Sequence, residues 1–368
     1  MAFAPIAVSI LTGFLGAGKT TLLNRLLKDP ALENTAVIIN EYGEVSIDHL
    51  LVEQASDGVI ELSDGCLCCT VRGELVDTLA DLVDRVQTGR VAPLKRIVIE
   101  TTGLADPVPV LQSVMGHPAL AQALRLDGVI TVVDTVNGAA TLDAHEEAVR
   151  QVAVADRIVL TKADLADKGD IEQLRGRLHA LNPSAEILDA GAEGTGPAAL
   201  FECGLYNPDT KSADVRRWLG EEELHHHDHD GHDDHHHHHH HHHHDERVRT
   251  FSLVHDRPVS FSAIEMFLDL LQSTQGEKLL RMKGVIELIE DPERPLVIHG
   301  VQKLLHPPAR LPAWPEGPRG TRLVLITFDM PEDYVRRLFS AFMGNPAVDT
   351  PDRAAMEENP LAIAGFKG

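Results

Sequence analysis

Short, nearly continuous apolar runs alternate with amphipathic segments between residue 6 and about residue 190. The runs read "IAVSILT", "TAVIIN", "RIVIETT", "GVITVVDT" and "DRIVLT". Runs of this composition are typical of strands that are buried on both faces. The segments between them, such as "KTTLLNRLLKD", "GELVDTLADLVDRVQT" and "IEQLRGRLHAL", have helical spacing. The alternation predicts an α/β domain with a mostly parallel sheet, which we place at residues 1–210.

The pattern changes abruptly after residue 210. Residues 221–246 contain 15 His and 9 acidic residues, with Leu224 and Gly231 as the other two. Such a segment has too few apolar side chains to form a core, so it is predicted to be a disordered tether within a linker at 211–247.

Order is predicted again over residues 248–368. Strand-like "VRTFSLVHD", "RMKGVIELIE", "PLVIHGVQKLL" and "TRLVLITFD" are combined with helix-like "FSAIEMFLDLLQST" and "DYVRRLFSAFM". The resulting β-α-β-β-β-α order predicts a smaller α+β domain with a largely antiparallel sheet, long enough to have its own core.

Charge and hydropathy exclude some classes of partner. The 33 basic and 56 acidic residues give a formal charge of −23, which argues against nucleic acid because phosphate binding needs a positive surface. The apolar N-terminus lacks a basic region and is interrupted by Pro5 and Gly13, and no apolar run reaches the length of a membrane span. We therefore expect a cytoplasmic protein with reduced thiols.

Residues 13–20, "GFLGAGKT", match the phosphate-binding pattern G-x-x-x-x-G-K-[ST] between a predicted strand and a predicted helix. Backbone amides of a glycine-rich loop can face phosphates, Lys19 can reach the β- and γ-phosphates, and the hydroxyl of Thr20 can bind Mg²⁺. The residues predicted to bind nucleotide in this loop are Gly13, Gly16, Ala17, Gly18, Lys19, Thr20 and Thr21. A glycine turn that merely opens a helix is the alternative.

The segment "TKAD", residues 161–164, follows a predicted strand. The carboxylate of Asp164 can accept two hydrogen bonds from the guanine edge, a pattern that adenine does not offer, and the stem of Lys162 can lie along the base. Thr161 stands where GTPases usually carry Asn. This segment favours GTP over ATP; an ordinary polar turn before a helix starting near Leu165 is the alternative.

Two acidic residues are candidates to complete a Mg²⁺ site. Glu100 ends the strand "RIVIE" and opens "ETTG", where Gly103 allows a backbone amide to approach the γ-phosphate. Asp48 lies in "NEYGEVSID", a glycine-containing loop of the kind that senses phosphate. The alternative for each is a solvated loop carboxylate. We assign Lys19, Thr20 and Glu100 as the catalytic group.

Three of the four cysteines lie in "GCLCCT", residues 65–70. Cys66, Cys68 and Cys69 offer three thiolates, one fewer than a tetrahedral metal site needs, and an incoming client or an oxygen donor such as Glu41 can complete the sphere. Protein sites usually bind Zn²⁺ more tightly than Co²⁺, and thiolates accept both ions. Redox chemistry and simple packing are the alternatives, and Cys203 is expected to be a core residue.

Taken in order, "TGFLGAGKTTLLN", "NEYGEVSID", "GCLCC", "ETTGLADP" and "TKAD" resemble the motifs of CobW-type GTPases, members of the SIMIBI class of P-loop proteins. The later "RMKG" and "HGV" are similar to the C-terminal domain of that family. The resemblance covers nearly the whole chain.

The resemblance implies a metallochaperone in which GTP binding and hydrolysis control the transfer of Zn²⁺ from the cysteine site to a client protein. Hydrolysis is expected to be slow in isolation, and the chain to be a monomer or a dimer that depends on nucleotide or metal. A cobalt chaperone for corrin biosynthesis is one rival. Others are a metal buffer, in which the His-rich tether stores cations beside a GTP-sensing domain, and an ATP-dependent small-molecule kinase.

Overall fold

The computed structural model describes residues 5–40, 59–62, 70–192, 194–201, 247–305, 308–314 and 319–344. Apart from Arg247, the predicted linker at 211–247 lies outside these residues. Within the described ranges, no helix has both the length and the apolar character that a membrane crossing requires.

A parallel sheet forms the first half of the fold. Its strands are β1 (Ile6–Gly13), β2 (Thr35–Asn40), β3 (Val59–Leu62), β4 (Arg96–Glu100), β5 (Leu124–Asp134), β6 (Arg157–Thr161) and β7 (Glu186–Asp189). They lie in the order β3-β2-β4-β1-β5-β6-β7, and each neighbouring pair is parallel. All eight residues of β1 are buried, as its continuous apolar run predicts. The predicted mostly parallel α/β domain is confirmed.

Helices cover both faces of this sheet. They are α1 (Lys19–Leu26), α2 (Thr70–Gln87), α3 (Val108–Gly116), α4 (Pro118–Ala123), α5 (Gly138–Ala144), α6 (Glu146–Ala153), α7 (Lys168–Leu181) and α8 (Pro197–Leu200). Leu22, Leu23 and Leu26 of α1 form one apolar cluster with β-strand residues such as Val132. Side chains of α2 to α7 form a second cluster on the sheet. The helix expected near Leu165 begins at Lys168, after a 3₁₀ turn at Ala163–Leu165.

In the described part of residues 247–344, the second half is an antiparallel sheet with two α-helices. Its elements are β8 (Val248–His255), α9 (Phe261–Gln275), β9 (Leu279–Leu288), β10 (Asp291–Val301), β11 (Leu304–Leu305), β12 (Ala309–Arg310), β13 (Thr321–Phe328) and α10 (Glu332–Phe342). The strand order is β11-β10-β9-β13-β8, with β12 paired to β10. In α9, Ile264, Phe267, Leu268 and Leu271 are buried at helical spacing. The predicted α+β domain is confirmed, with β11 and β12 as additions.

The two halves share an apolar core. Leu280, Ile326 and Phe328 of the second sheet belong to the same buried cluster as Val149 and Val152 of α6. Burial of such side chains stabilises an interface by about 1.5–3 kcal/mol each. Helix α6 is therefore packed between the first sheet and the second.

A buried ion cluster crosses the same interface. Nη2 of Arg281 donates to both carboxylate oxygens of Asp156, at 2.7 and 2.9 Å, and Nζ of Lys283 lies 3.0 Å from Oδ1. The three side chains are between 4 and 6% exposed. Burial alone would raise the pKa of Asp156, but the two cations outweigh it and hold that pKa far below its usual range.

Candidate nucleotide site

The phosphate-binding loop lies at the carboxyl edge of the parallel sheet, where ligand sites of such sheets are found. Gly13 ends β1 with φ of 141°, and a Cβ there would lie 2.3 Å from the carbonyl oxygen of Val132. Gly18 precedes α1 in the left-handed region, with φ of 93°. Only glycine fits these conformations without strain, so the loop has the backbone that an anion cradle at a helix N-terminus requires.

Lys19 is the first residue of α1, and the residue is 9% exposed. Its Nζ donates to the carbonyl oxygens of Gly13, at 2.9 Å, and Phe14, at 3.3 Å. The ammonium group is thus held against the loop itself. An ordered cation at this position can bind phosphate oxygens without first paying the entropy of ordering a free lysine side chain.

Thr20 and Glu100 meet beside the loop. Oγ1 of Thr20 donates to Oε1 of Glu100 at 2.8 Å, and Glu100 is 4% exposed at the end of β4. A hydroxyl and a carboxylate at hydrogen-bond distance are hard oxygen donors of the kind that Mg²⁺ binds. The pair therefore fits the Mg²⁺ that a nucleotide at this loop would bring.

Gly103 lies in the loop that follows β4, which we call the β4 loop (residues 101–107). A Cβ on Gly103 would approach the backbone nitrogen of Leu15 to 2.6 Å. The absence of a side chain therefore allows the β4 loop to touch the phosphate-binding loop directly. The structure brings Gly103 to this loop; its contact with a γ-phosphate stays a prediction.

The proposed base-binding segment is attached to the same loop. Oγ1 of Thr161 donates to the carbonyl oxygen of Ala17 at 2.7 Å, and both residues are buried. Lys162 follows in the left-handed conformation, with φ of 58°, and Asp164 is exposed in the 3₁₀ turn. Thr161 thus connects the segment to the phosphate-binding loop through its hydroxyl, and the guanine contacts of Lys162 and Asp164 stay predictions.

Asp134 was missed by the sequence analysis. Its Oδ2 lies 2.6 Å from Nζ of Lys162 and accepts a hydrogen bond from Asn137, while Oδ1 accepts from the amide of Val136. Burial alone would raise the pKa of Asp134, but these hydrogen bonds outweigh it and lower that pKa below its usual value. An ionised Asp134 therefore holds Lys162 in place. A lone Asp at a strand end gave no local signal of this role.

Replacing Asp134 with Asn is expected to weaken GDP binding by about five- to tenfold, because the charge that orients Lys162 is lost. The measurement is the Kd of a fluorescent GDP analogue. Asp143→Asn, which removes a partly exposed ion pair with Arg177, is the matched control. Equal affinities in both variants would show that Asp134 does not position Lys162.

A pocket of about 180 Å³ adjoins the phosphate-binding loop. Phe14 and Ala17 line it from the loop, Asp134 from β5, and Thr141 and Gln151 from α5 and α6. The pocket also reaches Lys162, so it belongs to the same site. The candidate site is therefore continuous from the phosphate-binding loop to helix α6.

The predicted metal ligands Glu41, Cys66, Cys68, Cys69 and Asp48 lie outside the described residues, as does Cys203. Among the residues that are described, no group of three or more His, Cys, Asp and Glu side chains is arranged to hold a metal. The cysteine site therefore stays a prediction from sequence.

Comparisons with known proteins agree with the two halves of the fold. Residues 7–189 match the nucleotide-binding domain of CobW/HypB/UreG, and residues 248–343 match the cobalamin synthesis protein cobW C-terminal domain. Zinc chaperone YjiA of Escherichia coli is 34% identical over 339 residues, covering 91% of this chain and 98% of that protein.

Two further similarities concern GTPases. The crystal structure of Zn(II)-bound YjiA GTPase from E. coli superimposes with a TM-score of 0.66 at 30% identity, covering 92% of this chain and 99% of that one. Zinc-regulated GTPase metalloprotein activator 1 of Schizosaccharomyces pombe is 35% identical over 192 residues, which is 50% of this chain and 46% of that protein.

Proposed function

The chain belongs to the CobW/HypB/UreG family, and on that premise we propose that it is a GTP-hydrolysing metallochaperone. It binds Zn²⁺ as cargo at Cys66, Cys68 and Cys69 and transfers the ion to a client protein under the control of GTP binding and hydrolysis. Its relatives are named zinc chaperone and zinc-regulated GTPase metalloprotein activator, which supports zinc and a protein client.

One observation carries the proposal. The segments with the predicted metal ligands begin at the carboxyl ends of β2 and β3, and the phosphate-binding loop begins at the carboxyl end of β1. Asn40, which precedes Glu41, pairs with Leu62, and Cys66 follows Leu62 by four residues. Strand β3 is three strands from β1, a separation of about 14 Å at 4.7–4.9 Å per strand. The described chain thus enters the thiol-bearing segment at the end of the sheet where the phosphate-binding loop lies, which supports the proposal that phosphate occupancy alters the geometry of the thiols.

In this proposal the nucleotide is GTP. Lys19 binds its phosphates, Thr20 and Glu100 hold Mg²⁺, and Lys162 and Asp164 bind the guanine. Bound Mg²⁺ would supply neutralisation of the charge that develops on the β- and γ-phosphates.

Hydrolysis is proposed to be slow without a client. Gln151 lies beside the β4 loop, but its amide nitrogen already donates to the carbonyls of Gly103 and Ala105. That amide nitrogen is therefore not available to orient an attacking water, and we propose that an activating group comes from the client.

Replacing Cys66, Cys68 and Cys69 together with Ser is expected to abolish tight, nucleotide-sensitive Zn²⁺ binding and to preserve GTP binding. The reason is that a hydroxyl is a much poorer ligand for Zn²⁺ than a thiolate. Zn²⁺ affinity is measured by competition with a chromophoric chelator, and Cys203→Ser is the matched control. Persistence of GTP-dependent Zn²⁺ affinity in the triple variant would refute the assignment.

A further inference from the structure

Gln151 of α6 attaches the β4 loop to the core of the protein. The residue is 1% exposed, and its Nε2 donates to the carbonyl oxygens of Gly103, at 3.2 Å, and Ala105, at 3.0 Å. The backbone carbonyl oxygen of Gln151 accepts a hydrogen bond from Oγ1 of Thr131 in β5, at 2.7 Å. Two backbone carbonyl groups of the β4 loop are thus bound by one side chain of a packed helix.

The residue before it, Arg150, connects the same loop with the second sheet. Nη1 of Arg150 lies 3.6 Å from Oδ2 of Asp106, at the end of the β4 loop. Its guanidinium also lies 4.4 Å from the ring centroid of Phe328 in β13, and Arg247 contacts that ring at 4.2 Å. Arg247 in turn pairs with Glu146 at the start of α6. Helix α6 therefore carries both the residue that contacts the β4 loop, Arg150, and the residue that pairs with Arg247, Glu146.

Helix α6 is not free to move independently of the second sheet. Val149 and Val152 share a buried cluster with Leu280 of β9, and Asp156, just after the helix, is bound to Arg281 of the same strand. Interiors packed in this way shift as units and do not deform continuously. A displacement of the β4 loop therefore either leaves the carbonyls of Gly103 and Ala105 without their donor or carries α6, and with it β9, along.

We propose that Gln151 is a positioning residue that couples the β4 loop to the second domain, so that the nucleotide bound at the phosphate-binding loop alters the β9 face of that domain. The inference rests on the proposed function for the assumption that GTP and GDP place the β4 loop differently. What the inference adds to that function is the series of contacts that couples the two domains, which runs from Gly103 through Gln151 and Arg150 to β9 and β13.

Hydrogen exchange in the full-length protein tests this series of contacts. Amide exchange of β9 is compared between Mg²⁺–GDP and a non-hydrolysable Mg²⁺–GTP analogue, for the wild type, Gln151→Met and Gln112→Met. Gln112→Met is the matched control because it removes a side-chain hydrogen bond to Gln302 across the same interface, whereas the hydrogen bonds of Gln151 to the β4 loop stay intact. The Kd of a fluorescent GDP analogue is measured for each protein.

With each protein saturated with nucleotide according to its measured Kd, the wild type and Gln112→Met are expected to show a nucleotide-dependent difference in β9 exchange, and Gln151→Met to reduce it at least about fivefold. Gln151→Glu, which accepts but cannot donate to a carbonyl when ionised, repeats the test if the Met variant unfolds. An undiminished difference in both variants overturns the proposal, as does a wild type that binds both nucleotides without any change in β9. Failure to bind guanine nucleotide at all would instead refute the proposed function.

Discussion

Replacing Lys19 with Ala is expected to lower the rate of GTP hydrolysis by about 100- to 1000-fold, the usual effect of removing one preorganised group that stabilises transition-state charge. Lys19 is held by the carbonyls of Gly13 and Phe14 within the phosphate-binding loop, so its charge is already in place before nucleotide arrives. The rate is measured as phosphate release in a single turnover with enzyme in excess.

Lys28→Ala is the control for this variant, because Lys28 is an exposed lysine just beyond the same helix. It should hydrolyse GTP at the wild-type rate. Hydrolysis by Lys19→Ala within threefold of the wild type would contradict the assignment of residues 13–20 as the catalytic phosphate site.

Replacing Asp156 with Asn is expected to lower the free energy of unfolding by about 3–5 kcal/mol, since it leaves buried cations uncompensated. Within the described residues, Nε and Nη1 of Arg281 make no hydrogen bond, so Asp156 carries most of the compensation for that guanidinium. The measurement is the first urea-induced transition at pH 7, followed by tryptophan fluorescence and circular dichroism.

The free energy of unfolding that Asp156 contributes is also expected to depend on pH. The folded-state pKa of Asp156 lies well below the unfolded value of about 3.9, so its stabilisation is complete above the unfolded pKa and decreases as pH falls below it. The stability difference between wild type and Asp156→Asn should therefore narrow from pH 5 to pH 2. Glu277→Gln, which removes an exposed pair with Lys303, should leave the transition unchanged. An Asp156→Asn midpoint equal to that of Glu277→Gln would contradict the account.

Strands β1, β2, β4–β6, β8–β10 and β13 could be predicted from sequence because their apolar runs are local signals, whereas β3 and β12 were not predicted. Helix α3 could not, because "VPVLQSVMG" is buried on most of its surface and lacks amphipathic spacing. Strand β7 is short and half-buried, so its pattern is weak. The fold class thus followed from periodicity, whereas a helix without a polar face and a short, half-buried strand did not give a clear pattern.

Part of the candidate site could be predicted in the same way, from local sequence motifs. Lys19, Thr20 and Glu100 lie in motifs whose spacing carries the chemistry, and the structure brings all three to one edge of the sheet. Asp134 and Gln151 act through contacts with residues 28 and 46–48 positions away, so no motif marks them. Partners that are distant in the chain become visible only when the sheet assembles.

Competition titration of Zn²⁺ and Co²⁺ into a variant that lacks residues 224–244 tests the central claim most directly. Removing the His-rich segment leaves the cysteine site as the expected tight site, and the titration is performed with Mg²⁺–GTP and then with Mg²⁺–GDP. The account predicts one tight Zn²⁺ site with GTP that weakens with GDP, and a smaller change for Co²⁺. Equal Zn²⁺ affinity in the two nucleotide states would contradict a nucleotide-controlled chaperone and leave the cysteines a structural or storage site.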